Sequence, residues 1–548
     1  MKRSWFGAAL IAAMGATGSA QAQPASGAVS QDGAPLAPEV KGRQPRVNPS
    51  LIKQPARTLL PAVQDLSAPA SLALPVKPDQ VRVQQLRPLG LTESLNLAEV
   101  NNPNLKALAS QVDQAESNLR AQLALWYPSI NLKASSLPSF TTGQQFSLGG
   151  FAGGGTQLSN GNTYTNIWRM TAVLEVSWSL INPTRTPLIQ VARDQFEREK
   201  FQYLIGLRDL RLQTAQAYFD LQQADDGVRI GQESVRASLV SLRDAKARYQ
   251  AGVDTKLAVL QAQTQLARDQ QVLSDFLARQ DIARRALASL LDLPQTITPT
   301  AKDPSGVVGT WQASLQDSVV AAYAFREELD QVLLDISIAN NNARASIGEV
   351  LPFLNIVNAL NTGRASGYSN AIPSQVPAGN YSWNVDNSIG LNFSWNIFDG
   401  GAAQARSRQQ KQKAQENTYR FAQRRDLIRF EVEESFYELQ KNLRNIQTSA
   451  SDVISSRESL RLARLRFQAG VTTQREVVDT QRDLTQAEVR HSSAINEYNK
   501  RLVELQRRTG LDQIAVCAAP SLPAEKPVSA ASVPVEPSPL ISACQAAR

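Results

Sequence analysis

RYQAGVDT at residues 248–255 and RFQAGVTT at residues 466–473 are one segment written twice, with Gly252 and Gly470 separated by 218 positions. A glycine free to take the left-handed backbone, followed by Asp254-Thr255 or Thr472-Thr473 able to cap a new helix, reads as a sharp turn between two helices. Upstream of each turn lie about 65 residues with no proline beyond the first turn, about 100 Å of helix at 1.5 Å per residue. Leu207, Thr214, Leu221, Val228, Val235, Leu242 and Tyr249 recur every seven residues. Val432, Leu439, Ile446, Val453, Leu460 and Phe467 repeat that row at the same offset. Beside them run smaller residues, among them Ala217, Gly231, Ser238 and Ala245, matched by Ser435, Ser449 and Ala463. A large row beside a small one fits close coiled packing of neighbouring helices.

The duplication continues outward. Trp178 and Trp395 stand 217 apart, while NPNL (102–105) and REEL (326–329), like Pro128 and Pro352, stand 224 apart. The difference falls between two strands and makes the first hairpin loop seven residues longer. That loop holds GGFAGGG at 149–155, which lacks the Lys-Ser/Thr and following helix of a phosphate cradle. In the second half Trp383, Val385, Ile389, Leu391, Phe393, Trp395 and Ile397 alternate with polar residues; Tyr164, Trp168, Met170, Leu174, Val176, Trp178 and Leu180 do so in the first. Weaker partner strands are expected at 130–137 and 354–360. One apolar and one polar face, with Trp168, Trp178, Trp383 and Trp395 near the ends, is the pattern of barrel strands between lipid and water. The competing reading is a soluble sheet packed on the helices. Four strands cannot close a membrane barrel, so a barrel must be shared, and three copies supply twelve strands.

Lys2 and Arg3, an apolar run over 5–16 and Ala20-Gln21-Ala22 form the pattern of a cleaved secretory signal, with the mature chain expected near Gln23. The chain is therefore expected beyond the inner membrane. The expected organisation is a signal at 1–22, a proline-rich extended or disordered arm at 23–90, a first repeat at 91–293, an inter-repeat segment at 294–313, a second repeat at 314–512 and a disordered tail at 513–548. Cys517 and Cys544, both in the tail, permit a disulfide in an oxidising compartment. The net charge of +8 comes from interspersed acids and bases and argues against nucleic-acid binding. His491 is the sole histidine. No catalytic or metal-spaced cluster accompanies it, so neither an enzyme nor a metal or other cofactor is expected.

Taken together, the NNPNL entry, the Tyr127-Pro128 and Leu351-Pro352 strand starts, WNIFDGG and the twin QAGV turns followed by QAQTQLA and DTQRDLT make residues 91–512 resemble the TolC-like outer-membrane efflux protein family. The resemblance implies a mainly helical homotrimer: a twelve-stranded β-barrel in outer-membrane lipid joined to a twelve-helix α-barrel across the periplasm, serving efflux or type I secretion. It implies that Arg248, Tyr249, Gly252, Val253, Arg466, Phe467, Gly470 and Val471 face a periplasmic adaptor, with an inner-membrane efflux pump or ABC exporter beyond. Acidic residues six and nine places after the second turn glycine narrow the entrance in that family, and Glu476 and Asp479 hold those places here. Three copies would ring the axis with six carboxylates, disfavouring anions and attracting cations; the alternative makes them first-turn charges favoured by the helix dipole. Two departures stand out: the basic latch position two after the glycine is Thr472, and the first-repeat counterparts of the acids are Ala258 and Gln261. A periplasmic adaptor or structural coiled coil is the rival class, but an adaptor would show one hairpin and a split small β-domain.

Overall fold

The computed structural model describes residues 56–147, 161–369, 380–511 and 514–516. The expected signal segment, the glycine-rich loop at 149–155 and both cysteines lie outside these residues.

Each repeat begins with two short helices set end to end. In the first they are α1 (Leu91–Asn101) and α2 (Pro103–Leu123), and in the second α5 (Leu315–Phe325) and α6 (Glu327–Gly348). Asn102 starts α2 by accepting the backbone N–H groups of Asn104 and Leu105, with Pro103 supplying the fixed φ of a first helical residue. Two strands follow in each half, β2 (Ser129–Ser147) with β3 (Gly161–Ile181), and β6 (Phe353–Ser369) with β7 (Asn380–Ser394). They form one antiparallel sheet in the order β2-β3-β6-β7. The partner strands outrun the expected 130–137 and 354–360. In β2 the alternation breaks where Ser136 takes a φ of +57° beside Pro138, and pairing resumes at Ser139 after the bulge.

The long helices are α3 (Arg185–Gln250) and α7 (Ala402–Gln468), and they return as α4 (Lys256–Leu290) and α8 (Gln474–Thr509). Asp399 launches α7 by accepting the N–H groups of Gly401 at 2.8 Å and Ala403 at 2.6 Å. The large heptad row is interior along most of its length: Leu207, Thr214, Leu221 and Val228 on α3, and Val432, Leu439, Ile446, Leu460 and Phe467 on α7, are buried, whereas Val235, Leu242 and Val453 are half-buried and Tyr249 at the turn is exposed. The small row needs its small size at Gly231, where an added Cβ would meet the Phe276 ring at 3.0 Å, and Gly227 one turn earlier, outside the row, meets the same ring at 2.9 Å.

Between the repeats lie β4 (Ile297–Ala301) and β5 (Gly309–Trp311). β4 pairs in parallel with β1 (Gln85–Leu89), and β5 pairs antiparallel with β8 (Ile514–Val516). The expected disordered arm at 23–90 is corrected over its described part. Residues 61–66 form a 3-10 turn whose Val63 and Leu66 enter a core with Leu97, Leu207, Tyr218, Leu287 and Leu291. The backbone of this segment is tied down by helix side chains: Ala56 N–H to Glu99, Leu60 N–H to Asn96, and the Leu66 carbonyl to Asn101 at 2.8 Å. Pro61 and Pro78 each open a short 3-10 turn here.

A buried charge network joins the repeats near the upper end of α8. Arg326, at the position of Asn102 in the first repeat, grips Glu328 at 2.9 Å and also bonds Glu431 on α7. Arg507 bridges Glu328 at 2.8 Å and Asp209 on α3 at 2.7 Å, and Arg208 meets Glu327 at 2.7 Å. Together the arginines hold the Glu328 carboxyl down at about 2 against the desolvation that would raise it. Around Glu327 desolvation is the larger influence and its carboxyl is pushed up.

Candidate functional site

The two helical turns are superposable solutions. Gly252 and Gly470 sit at φ +77° and +75°, and each turn closes with a backbone bond, from Val253 N–H to the Arg248 carbonyl and from Val471 N–H to the Arg466 carbonyl. Thr255 caps α4 through Ala258 N–H, as the sequence implies, whereas Thr473 makes no side-chain cap. Val253 and Val471 are 67% and 71% exposed, and Tyr249 is also open to solvent. Phe467, expected among the outward-facing residues, is instead buried, with the Arg248 guanidinium 4.6 Å above its ring. That contact ties the first turn to the second. Gln474, itself buried, adds another tie by donating to Ser241 on α3 at 2.6 Å. Neither tie is legible from one helix alone.

Glu476 and Asp479 are both compensated within the chain. Glu476 takes a hydrogen bond from Thr472 and an ion pair from Arg466 at 2.7 Å. Asp479 lies between Arg475 at 3.7 Å and Arg482 at 3.5 Å. Thr472, at the position where the resemblance places a basic latch, thus serves Glu476 directly. Three arginines surround two acids, so this surface is not a bare carboxylate cluster.

The sheet is two-sided along most of its register. Through the register of β3, β6 and β7, Trp178 aligns with Ile356 and Leu391, and Leu174 aligns with Leu132 of β2 and Leu360 of β6. Asn358 and Asn387, which share this apolar face, hydrogen-bond each other at 2.9 Å. The opposite face carries Lys133 paired with Glu175 at 2.8 Å, Ser135 bonded to Thr171, and Asn384 bonded to Asp386. Trp383, Ile389, Leu391 and Phe393 stay exposed, so the apolar face is not spent on packing against the helices. Ten residues separate Trp168 from Trp178, about 33 Å along a strand. At a tilt of about 40° they bracket about 25 Å, the height of a barrel's apolar band.

Trp178 and Trp395 play one role twice. Trp178 donates its indole N–H to the Trp126 carbonyl at 3.0 Å, and Trp395, just beyond β7, donates to the Val350 carbonyl at 3.1 Å. Each pins a strand to the end of the helix that feeds the hairpin. Replacing both by phenylalanine keeps the rings and removes the bonds, at about 1 kcal/mol each. The expected result is a lower thermal-unfolding temperature of the chain, followed by circular dichroism.

His491 is half-buried on α8, where Nδ1 lies 3.1 Å from Ser449 Oγ and burial pushes its pKa down. No group of acids, histidines or cysteines able to hold a metal occurs among the described residues, and no helix among them is long and apolar enough to cross a membrane.

The comparisons agree with this geometry. The sequence pattern of the family described as Outer membrane efflux protein matches residues 94–292 and 320–511. Outer membrane protein TolC of Vibrio cholerae serotype O1 is 22% identical over 438 residues, covering 77% of this chain and 90% of the relative. Among solved structures, the outer-membrane channel OprN superposes with a TM-score of 0.62 at 18% identity, over 82% of this chain and 97% of its own. CusC gives 0.59 at 20% identity, over 81% and 99%. The Campylobacter jejuni outer membrane channel CmeC gives 0.59 at 17%, over 77% and 85%.

Proposed function

The chain belongs to the outer membrane efflux protein family, and from that premise we propose that three copies close their sheets into one barrel and their helices into one tunnel. The protein is an outer-membrane efflux channel that extends into the periplasm. The observation that carries the trimer is the sheet itself: four strands, one apolar face left exposed, and β2 and β7 as its two edges. Open edges in lipid leave backbone groups unpaired, and three such sheets joined edge to edge leave none. Twelve strands is an even number within the range of outer-membrane barrels.

Tyr249, Val253 and Val471, with the backbone at Gly252 and Gly470, are the surface offered to a periplasmic adaptor, which in turn engages an inner-membrane pump. Arg248 and Arg466 border that surface, and Phe467 supports it from beneath. Glu476 and Asp479 line the mouth as members of an arginine-compensated brace in place of a free acidic ring. Transport of an efflux substrate then needs no chemistry on the duct's part, only a continuous bore and a mouth that opens.

The test uses Val253→Cys and Val471→Cys, since substitution at either glycine would strain a left-handed backbone. Crosslinks from both positions to an adaptor, in a detergent-resistant trimer recovered from outer membranes, are the expected result. A soluble, monomeric chain without such crosslinks would overturn the reading. Val253→Asp with Val471→Asp is expected to weaken docking by about 2 kcal/mol, roughly thirtyfold, measured as loss of adaptor co-purification with the trimer intact.

A further inference from the structure

The upper part of α7, between the sheet and the charge network, has a composition that its repeat partner lacks. Residues 406–429 hold eight Lys or Arg against Glu416 and Asp426, whereas the equivalent stretch of α3, residues 188–211, holds five against four. The neighbouring helix α6 does not supply the missing acids: Glu349, at its C-terminal cap, pairs with Arg406 at 2.7 Å, and its Asp335 is turned to Arg198 on α3. Glu416, Asp426 and Glu433 are taken by Arg420, Arg425 and Arg429. Arg408, Lys411, Lys413 and Arg424 have no acidic partner among the described residues.

Their placement on the helix decides what this surplus can do. α7 turns its buried positions, Ala403, Ser407, Ala414, Asn417 and Ile428, toward the rest of the chain. Along this stretch that means α6, with α5 joining it around Ile428, because α8 ends at Thr509, where the adjacent Arg508 meets Glu434. Helices α2, α3, α6 and α7 pack in that sequence, which leaves α7 at the free edge. Its side facing away from α6 carries exposed Tyr419 and Phe430. In the trimer proposed above, on which this inference rests, that edge meets a second copy. With a helix on either side, the two remaining faces of α7 are the bore and the outer surface of the wall. At seven-residue spacing Arg406, Lys413 and Arg420 lie on one of these faces, and Arg408, Lys411, Arg425 and Arg429 lie toward the other. Both are basic, so whichever faces inward, the bore below the membrane is ringed by cations from three copies.

We propose that this stretch of α7 makes the duct selective for anionic solutes, with Lys411 or Lys413 as the specificity-determining residue on the inner face. A confined bore focuses the field of its wall charges and enriches ions of opposite sign. The compensated acids at Glu476 and Asp479 do not cancel this at the mouth, since Arg466, Arg475 and Arg482 outnumber them there.

The experiment is the zero-current potential of the reconstituted full-length protein in a planar bilayer under a potassium chloride gradient. Expected is a chloride preference of about threefold or more over potassium. One of Lys411→Glu and Lys413→Glu should reduce that ratio by about half or more, and the other should leave it unchanged, which identifies the inner face. Both are solvent-accessible and partnerless, so folding is not at stake. A conducting pore with cation preference, with none, or with a preference neither variant moves overturns the proposal and leaves the trimeric duct standing. A protein that yields no pore overturns both.

Discussion

Arg326→Met should destabilise the folded chain by about 3–5 kcal/mol, the cost of leaving buried carboxylates without their cation. Arg326 is 4% exposed and serves Glu328 and Glu431, which belong to different helices of the second repeat. The companion Arg326→Lys keeps the charge but loses the fork that reaches two carboxylates, so it should fall between wild type and Met. Thermal unfolding followed by helical circular dichroism reads the difference. The effect carries a pH signature. Glu328 is held at about 2, below the ordinary glutamate value of 4.5. The stability it lends is therefore complete above its unfolded pKa and is lost as pH falls through about 2. The gap between wild type and Arg326→Met should be widest above about pH 5 and should close toward pH 2. Glu327 works in the opposite sense: its raised pKa means the folded chain holds that proton more firmly, so its contribution improves on acidification and offsets part of the loss. A gap independent of pH would remove the ion pairs as its cause.

The duplication made most of this architecture legible, because what repeats is local. A glycine turn, a heptad row and a period-two strand each announce themselves within a few residues, and finding each twice at one register excludes accident. What escaped the sequence is non-local. Arg326 and Glu431 lie 105 residues apart and Arg507 and Asp209 lie 298 apart, and each looks like an ordinary surface charge in its own helix. The segment 56–66 has no periodicity, since a 3-10 turn buries only Val63 and Leu66 and relies on Asn96, Glu99 and Asn101 to satisfy its backbone. Strand β2 was cut short at Leu137 because Pro138 ends a regular ladder but not one with a bulge. At the second turn, the resemblance singles out Glu476 and Asp479 as candidates. Their electrostatic state was not legible, because it depends on Arg466 across the turn and on Arg475 and Arg482 along the helix.

The ties between the two turns, Arg248 on the Phe467 ring and Gln474 to Ser241, set the second large effect. Arg248→Ala together with Gln474→Ala should raise the conductance of the reconstituted channel by about threefold or more while leaving its thermal stability within about 2 kcal/mol of wild type. Stability survives because the rest of the seam between α3 and α8 persists: Thr485 bonds Ser234 at 3.2 Å, Ser492 bonds Asp226, and Asn496 bonds Asp220 at 3.0 Å. That seam is made of polar side chains, each worth about 1 kcal/mol net, because water can replace a lost partner. Within the second hairpin, by contrast, Leu460, Ala463, Phe467, Val477 and Leu484 form an apolar cluster that must move as a unit. Freed of Arg248 and Gln474, the second turn can swing on the polar seam without breaking its own core. Glu476→Gln is the control that separates brace from latch, since its partners Arg466 and Thr472 belong to the same hairpin. It should loosen the turn without joining or parting the repeats, and so change conductance far less than the double variant. Equal conductance in all three proteins would show that the mouth is held elsewhere.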